Sequence, residues 1–247
     1  MQQERLIIAD LHLSTPSLNT LGLLDAFIAR AQTAVAVYIL GDLFDYWIGD
    51  DQPLPRELQQ RFEQLSAIPG QVFFMPGNRD FLAGEALMET LGAHYLKAPY
   101  PVVFNQRSVV LTHGDELCTD DVAYMRMRTQ LRSPAFIDEF LSKSLDDRRA
   151  IAEALRSQSK VDSAEKPEDI MDVNDQAVAD LLAEQQADIL VHGHTHRPAI
   201  HNLGNNQARV VVGDWHDTGW LVSVQQGELR LEEFDSAHAE VKGRVYL

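Results

Sequence analysis

Residues 190–200 read LVHGHTHRPAI, an apolar run that ends in His192, His194 and His196 at strict two-residue intervals. A short apolar run broken by glycine has the pattern of a buried strand entering a loop. Side chains at period two on a strand end share one side. Three imidazoles so placed suggest a metal, and its other ligands must come from elsewhere in the chain.

Working outward, four further apolar runs have the same character: RLIIAD, AVAVYILGD, QVFFMPGN and SVVLTHGD. Between them lie segments at helical spacing, carrying Leu24, Phe27, Ile28 and Ala31, then Leu58, Phe62 and Leu65, then Leu87, Met88 and Leu91. The later part changes to RVVVGDW, WLVSVQ and ELRLEEF, short strands with turns such as QQGE. The pattern predicts an α/β core closed by a strand-rich second half, in a single domain spanning 1–247. All five principal runs end in Asp, Asn or His, at the carboxyl ends of strands where open α/β sheets build their sites. One such ending is ordinarily a turn or helix cap. Five in succession form a constellation.

Composition bounds what that constellation does. The chain has 247 residues, 45% hydrophobic and 23% charged, enough for a sizeable buried core. A net charge of −16 argues against nucleic acid as a partner bound by counterion release. A single cysteine, Cys118, allows no intrachain disulfide and fits a reducing compartment. The apolar runs are too short for a signal peptide or a bilayer span. A cytosolic location, or attachment to a membrane surface, is expected.

The ligand types are Asp10 and His12, Asp42 after Gly41, Asn78 after Gly77, His113 before Gly114, and His194 with His196. A nitrogen and oxygen set without thiolate suits Mn, Fe, Zn or Co. Seven ligands exceed the needs of one ion but suit two that share a carboxylate, about 3.5–4 Å apart, activating water for an in-line displacement. The series D-x-H, G-D, G-N, H-G, G-H-x-H resembles the signature of the calcineurin-like metallophosphoesterases. That resemblance implies a β-sandwich flanked by helices, an α/β (α+β) fold. It also implies a first ion on Asp10, His12, Asp42 and His196 and a second on Asp42, Asn78, His113 and His194.

Family members commonly carry G-N-H where this chain has Gly77-Asn78-Arg79-Asp80. Arginine stays charged and cannot act as a general acid. It can hold a phosphate oxygen, which favours a leaving group needing no proton and hence a phosphoanhydride substrate. The alternative is that Arg79 salt-bridges Asp80 or a neighbour. The segment Arg126–Lys166 holds nine Lys or Arg against seven acids, with Phe136, Phe140, Leu141, Leu145, Ile151 and Leu155 at roughly helical spacing. It is expected to form a helical lid insertion, about 120–168, over an anionic, greasy substrate. The alternative is a hairpin packed on the sheet with a solvated face.

The segments IADLHL, YILGDLFDYWIGDD, GNRDFL, HGDELCTDD, IMDVN and VHGHTHRPAIH resemble one branch of the family. That branch hydrolyses the pyrophosphate of UDP-2,3-diacylglucosamine in lipid A biosynthesis. The resemblance implies two Mn(II) ions per chain and a water attacking the α-phosphorus, giving UMP and a diacylglucosamine 1-phosphate. It also implies work at the cytoplasmic face of a Gram-negative inner membrane, with no obligate protein partner. The catalytic group is expected to be Asp42, Asn78, Arg79, His113 and His194. Substrate contacts are expected from Asn78, Arg79, Asp121, Ser159, Asp162, Lys166 and His194. Asp162 departs from relatives with a neutral amide there, which puts a direct contact in doubt.

Outside these blocks, Asp50 and Asp51 are expected to be structural or to support the site, and Asp45 to orient a ligand or close a local turn. His216 is expected to be a buried, satisfied residue or a support for a ligand, Cys118 to be packed, and His192 to be buried and hydrogen-bonded behind the site. His94, His201 and His238 carry no role. Two rivals stay open: a metallophosphoesterase for another phosphodiester or nucleotide, and a non-catalytic scaffold, which the complete ligand set disfavours.

Overall fold

The computed structural model describes residues 4–13, 18–165 and 170–247, and for residues 160–165 the backbone alone. Strand and helix alternate as the periodicities predict: β1 (Arg5–Ile8), α1 (Leu18–Ala31), β2 (Ala36–Ile39), α2 (Arg56–Ser66), β3 (Gln71–Phe74) and α3 (Glu85–Leu91). A short β4 (Ala93–Tyr95) and the hairpin β5 (Tyr100–Phe104) and β6 (Arg107–Leu111) follow. Three helices then leave the sheets: α4 (Val122–Leu131), α5 (Pro134–Leu141) and α6 (Leu145–Glu165). The chain returns through α7 (Asp175–Glu184) to β7 (Ile189–His192), β8 (Ala199–Gly204) and β9 (Gln207–Val211). It closes with β10 (Gly219–Gln225), β11 (Glu228–Phe234) and β12 (Ala239–Tyr246).

Two sheets result, in the orders β12-β11-β10-β1-β2-β3-β4 and β5-β6-β7-β9-β8. Strands β1 to β4 run parallel, as do β6, β7 and β9, so the ligand-bearing ends of each set emerge at one edge. Strand β1 is apolar on both faces because both are covered. Ile7 and Ala9 pack between the sheets with Tyr38, Leu40, Leu111, Val191, Val210 and Val222. Leu6 and Ile8 face outward onto Leu24, Phe27, Leu58, Phe62 and Leu87 of the first three helices. On the second sheet Val110 and Leu190 meet Val178, Leu181 and Leu182 of α7. The architecture is a β-sandwich flanked by helices, as expected.

Strands β4, β5, β8 and β12 have no clear sequence signal, for a common reason. All four are edge strands, and β4, β8 and β12 are largely open to water, so they lack a two-faced apolar pattern. Strand β5 carries Pro101, tolerated where a ladder hydrogen bond is not required. The charged tail AEVKGRVY forms β12, an edge blunted by Glu240, Lys242 and Arg244.

The helices α4–α6 lie between β6 and α7, outside both sheets. Asp121 caps α4 by accepting the Tyr124 N–H at 3.0 Å, and Ser133 caps α5 by accepting that of Phe136 at 3.3 Å. Helix α6 is clasped to the loop after β2. Arg148 is buried, pairs with both carboxylate oxygens of Asp51 and donates to the Ile48 carbonyl at 2.6 Å. Arg156 pairs with Asp45, and Tyr46 Oη lies 3.4 Å from Glu153. The LCTDD and IMDVN segments bind each other at the base of α7, where Asn174 donates to Asp120 at 2.9 Å and to the Leu117 carbonyl at 2.8 Å.

Candidate metal centre

Parallel pairing continues past the strands and aligns the first two blocks. Asp10 N donates to Gly41 O and His12 N to Asp42 O, each at 3.1 Å. The other sheet does the same for the later blocks, with Gly193 N donating to His113 O at 3.0 Å. Trp215 N, donating to Asp10 O at 3.1 Å, ties the end of β9 to the end of β1. Five of the seven expected ligands lie in the left-handed region: Asp10 (φ 57), His12 (φ 51), Asp42 (φ 51), His194 (φ 66) and His196 (φ 54). That backbone is costly for non-glycine residues and persists where surroundings over-determine it, typically at functional sites. It turns each side chain out of its strand and toward the common centre. Gly41 and Gly77 are required by close approach, since a Cβ on Gly41 would strike the Gly77 backbone.

All seven side chains converge. Two groups bring their ligand atoms within 4.8 Å of one another: Asp10, His12 and His196, and Asp10, Asp42 and His113. His12 Nε2 and His196 Nε2 are 3.1 Å apart, with His196 Nε2 3.6 Å from Asp10 Oδ1. Asn78 Oδ1 lies 2.9 Å from His113 Nε2 and 2.8 Å from His194 Nδ1. Asp42 was expected to be the carboxylate shared by both ions. In this geometry Asp10 belongs to both groups, while Asp42 reaches His113 at 3.6 Å.

The donor chemistry fits cations. His113 donates Nδ1–H to the Leu40 carbonyl at 2.7 Å, which aims Nε2 at the Asn78 carbonyl oxygen 2.9 Å away. Only a proton on Nε2 or a cation held by both atoms satisfies that approach. Asp10 Oδ1 and His12 Nδ1 are buried with no hydrogen-bond partner among the described residues. Burial opposes charge on His113, but Asp42, Asp10 and Asp115 outweigh it and lift its pKa to about 9. Burial likewise opposes charge on His196, where Asp10 and Asp214 prevail and raise it to about 10. Burial drives His12 down to about 2, helped by Arg79, and His194 down to about 3, helped by His113. Burial raises the Asp42 carboxyl above its usual range. Buried carboxylates so close demand positive charge, and divalent ions meet that demand more fully than imidazolium.

Several residues not singled out in the sequence hold this cluster. Asp80 is buried and accepts three backbone N–H groups, from Gly77 at 2.7 Å, Leu43 at 2.8 Å and Asp42 at 3.2 Å. Burial and the adjacent Asp42 lift its pKa to about 7 against the pull of those bonds. Asp115 receives Arg128 at 2.7 Å, Arg132 at 3.1 Å and Tyr124 Oη at 3.1 Å, tying α4 to the fourth block. Asp214 meets His196 Nδ1 at 3.2 Å and His216 Nε2 at 2.8 Å. The glycine–aspartate pair closing VVVGD repeats the pattern of Gly41-Asp42 and was the available signal for it.

Arg79 pairs with Asp42 at 3.2 Å and Asp45 at 3.5 Å rather than with Asp80. Asp45 therefore joins Arg79 to Arg156, more than a local turn. Asp50 is structural: it accepts Trp47 Nε1 at 3.0 Å and the N–H groups of Gly84 and Ala86 at 2.9 Å, at the start of α3. His192 is buried and bonds the Gly193 carbonyl at 2.9 Å, while its Nε2 has no partner among the described residues. His216 is 76% exposed at its side chain, which corrects the expectation of burial and leaves its contact with Asp214 as its structural link. Cys118 is packed, and burial pushes its thiol up to about 12.

A cavity of about 500 Å³ opens over the cluster. Its lining includes the polar Asn78, Arg79, His194 and His196 and the apolar Trp47, Phe81, Phe136, Phe140 and Leu155. Asp121 and Ser159 also line it. The side chains of Asp162 and Lys166 lie outside the described residues.

A sequence profile of calcineurin-like phosphoesterases matches residues 5–198, which contain all seven expected ligands. The chain belongs to that family. It is 44% identical over 236 residues to a UDP-2,3-diacylglucosamine hydrolase of Pseudomonas fluorescens, covering 93% of this chain and 94% of the relative. The enzyme of the same name from Cellvibrio japonicus is 40% identical over 237 residues, covering 93% and 98%. Among solved structures, Vacuolar Protein Sorting 29 of Cryptosporidium parvum superposes with a TM-score of 0.54 at 14% identity, over 100% of this chain and 99% of that one. YfcE, a phosphoesterase from E. coli, gives 0.51 at 15% identity over 99% of both chains. At that distance the superpositions establish the fold alone.

Proposed function

We propose that this chain hydrolyses the pyrophosphate of UDP-2,3-diacylglucosamine, with water attacking the α-phosphorus to give UMP and 2,3-diacylglucosamine 1-phosphate. The observation that carries the substrate is the mixed lining of the cavity. Asn78, Arg79 and His194 offer polar contacts beside the ligand cluster, and Trp47, Phe81, Phe136, Phe140 and Leu155 offer apolar ones. A pyrophosphate next to acyl chains uses both kinds; a cyclic nucleotide or other soluble diester uses only the polar kind. Relatives covering nearly the whole chain bear this substrate in their names.

Asp10, His12, Asp42 and His196 would hold one Mn(II) ion, and Asp42, Asn78, His113 and His194 the other, with Asp10 within reach of both. Bound divalent ions supply activation of water at neutral pH and charge neutralisation on the phosphoryl oxygens. The protein's own groups do the rest. Arg79, permanently charged, grips the departing phosphate and offsets its developing charge. That leaving group, with its last ionisation near ~6, departs without a proton and makes a general acid unnecessary. Asp45 pairs with both Arg79 and Arg156, which line the same cavity, so two guanidinium groups are available to the substrate's anionic part. Asp121, Ser159, Asp162 and Lys166 are assigned as the further substrate contacts. The insertion of about 120–168, of which helices α4–α6 are described, is assigned as the lid of a single catalytic domain. The enzyme works at the cytoplasmic face of the inner membrane, held peripherally; no helix among the described residues is long and apolar enough to cross it.

The test is product analysis with UDP-2,3-diacylglucosamine in O-18 water, run beside soluble diesters. Label in UMP is expected. Label in the lipid phosphate contradicts attack on the α-phosphorus, and faster turnover of a soluble diester contradicts the substrate.

A further inference from the structure

His196 differs from the other histidines of the centre in what lies behind it. Its Nε2 faces Asp10 and His12, while its Nδ1 is 3.2 Å from a carboxylate oxygen of Asp214. His113, by contrast, gives its Nδ1–H to a neutral backbone carbonyl, and His12 Nδ1 has no partner among the described residues. We propose that Asp214 is a positioning residue that fixes the ring and tautomer of His196 and makes the Asp10–His12–His196 site the tighter of the two cation sites.

An imidazole that donates Nδ1–H to a carboxylate must present its lone pair at Nε2, and the negative charge behind it makes that nitrogen a stronger donor. The placement of Asp214 is built rather than incidental. On one side of it Val212 N donates to the His192 carbonyl at 2.7 Å, and on the other Trp215 N donates to the Asp10 carbonyl at 3.1 Å. Trp215 is buried, packs edge-on against Phe27 and Phe234, and bonds the Trp220 carbonyl through Nε1 at 3.0 Å. The aspartate thus sits on a short turn anchored to the same backbone that carries ligand Asp10. His216 closes the outer side, its Nε2 2.8 Å from the oxygen of Asp214 that meets His196. Its own backbone is held by Thr218 at 3.1 Å, and its carbonyl accepts Asn19 Nδ2 at 2.7 Å. Its exposed ring covers a carboxylate that is only 16% exposed and limits competition from water.

Resting on the metal-centre assignment above, the test is calorimetric titration of the full chain with Mn(II), alongside metal content after dialysis. Asp214→Ala is expected to weaken one of two sites by about 10–100-fold and leave the other unchanged. Asp214→Asn keeps an acceptor for Nδ1–H but loses the charge, and is expected to weaken the same site by several-fold. His12→Ala marks that site independently. If His12→Ala loses one ion while both Asp214 variants bind two ions with wild-type affinity, Asp214 has no such role. If Asp214→Ala does not fold, an unchanged Asp214→Asn alone overturns the proposal. If His12→Ala also binds like the wild type, the metal-centre assignment falls and the role of Asp214 falls with it.

Discussion

Replacing Asp80 tests whether the centre is held by one buried carboxylate. Its oxygens accept the N–H groups of Gly77, Leu43 and Asp42, joining the second and third ligand blocks from behind. Asp80→Ala leaves three buried donors unpaired, each costing about 1–3 kcal/mol, or roughly 3–6 kcal/mol together once entering water offsets part of the loss. At ~2–4 °C per kcal/mol for a chain of this size, the melting temperature should fall by roughly 6–24 °C. Asp80→Asn is the sharper probe. Its single carbonyl oxygen can serve Gly77 and Asp42, but its amide nitrogen then faces the Leu43 N–H, donor against donor, for a loss of about 2–3 kcal/mol. Urea unfolding at pH 8, above the Asp80 pKa of about 7, keeps the carboxylate ionised as an acceptor. Both variants should also bind Mn(II) more weakly, because Asp42 and Asn78 lose their shared anchor. An Asp80→Ala protein destabilised by less than about 1 kcal/mol, with unaltered Mn(II) affinity, would refute the reasoning.

Arg79→His should retain Mn(II) but lose turnover of the lipid substrate by at least about tenfold, since imidazole cannot reproduce the guanidinium fork; unchanged kcat/KM would show that Arg79 does not hold phosphate. Arg148→Ala removes the clasp between α6 and the loop bearing Asp51, so KM for the lipid substrate should rise several-fold while metal content stays the same. A rise in KM no larger than for Arg149→Ala, at the more exposed neighbouring position, would contradict it. Glu232 is paired with Arg30 through both oxygens at 2.8 and 3.0 Å; burial raises its carboxyl pKa, but Arg30 and Ser223 outweigh that and hold it below the ordinary 4.5. A depressed carboxylate contributes stability above its unfolded pKa and loses it as pH falls through the folded one. Glu232→Gln should therefore cost about 2 kcal/mol at pH 7, with the gap to wild type closing below pH 4.5; a gap constant from pH 7 to 3 would be inconsistent with that pairing.

The residue types at five strand ends marked the candidate centre from sequence alone. Each block is local, and an apolar run ending in Asp, Asn or His reports itself without knowledge of its neighbours. The helices α1–α3 were equally visible, because their buried faces recur at helical period in a contiguous segment. Edge strands β8 and β12 were not, since a strand open to water need not alternate. Tertiary structure alone decided what depends on residues far apart in the chain. Parallel pairing of β1 with β2 sets Asp10 beside Asp42, and the junction of the two sheets brings His196 to Asp10. Asp80, Asp115 and Asp214 look in sequence like ordinary turn or cap residues. They become supports because burial deprives backbone amides, arginines and imidazoles of water and leaves a carboxylate as their partner. Of the three histidines in LVHGHTHRPAI, the left-handed backbone turns His194 and His196 into the centre. His192, still in regular strand, stays buried behind it.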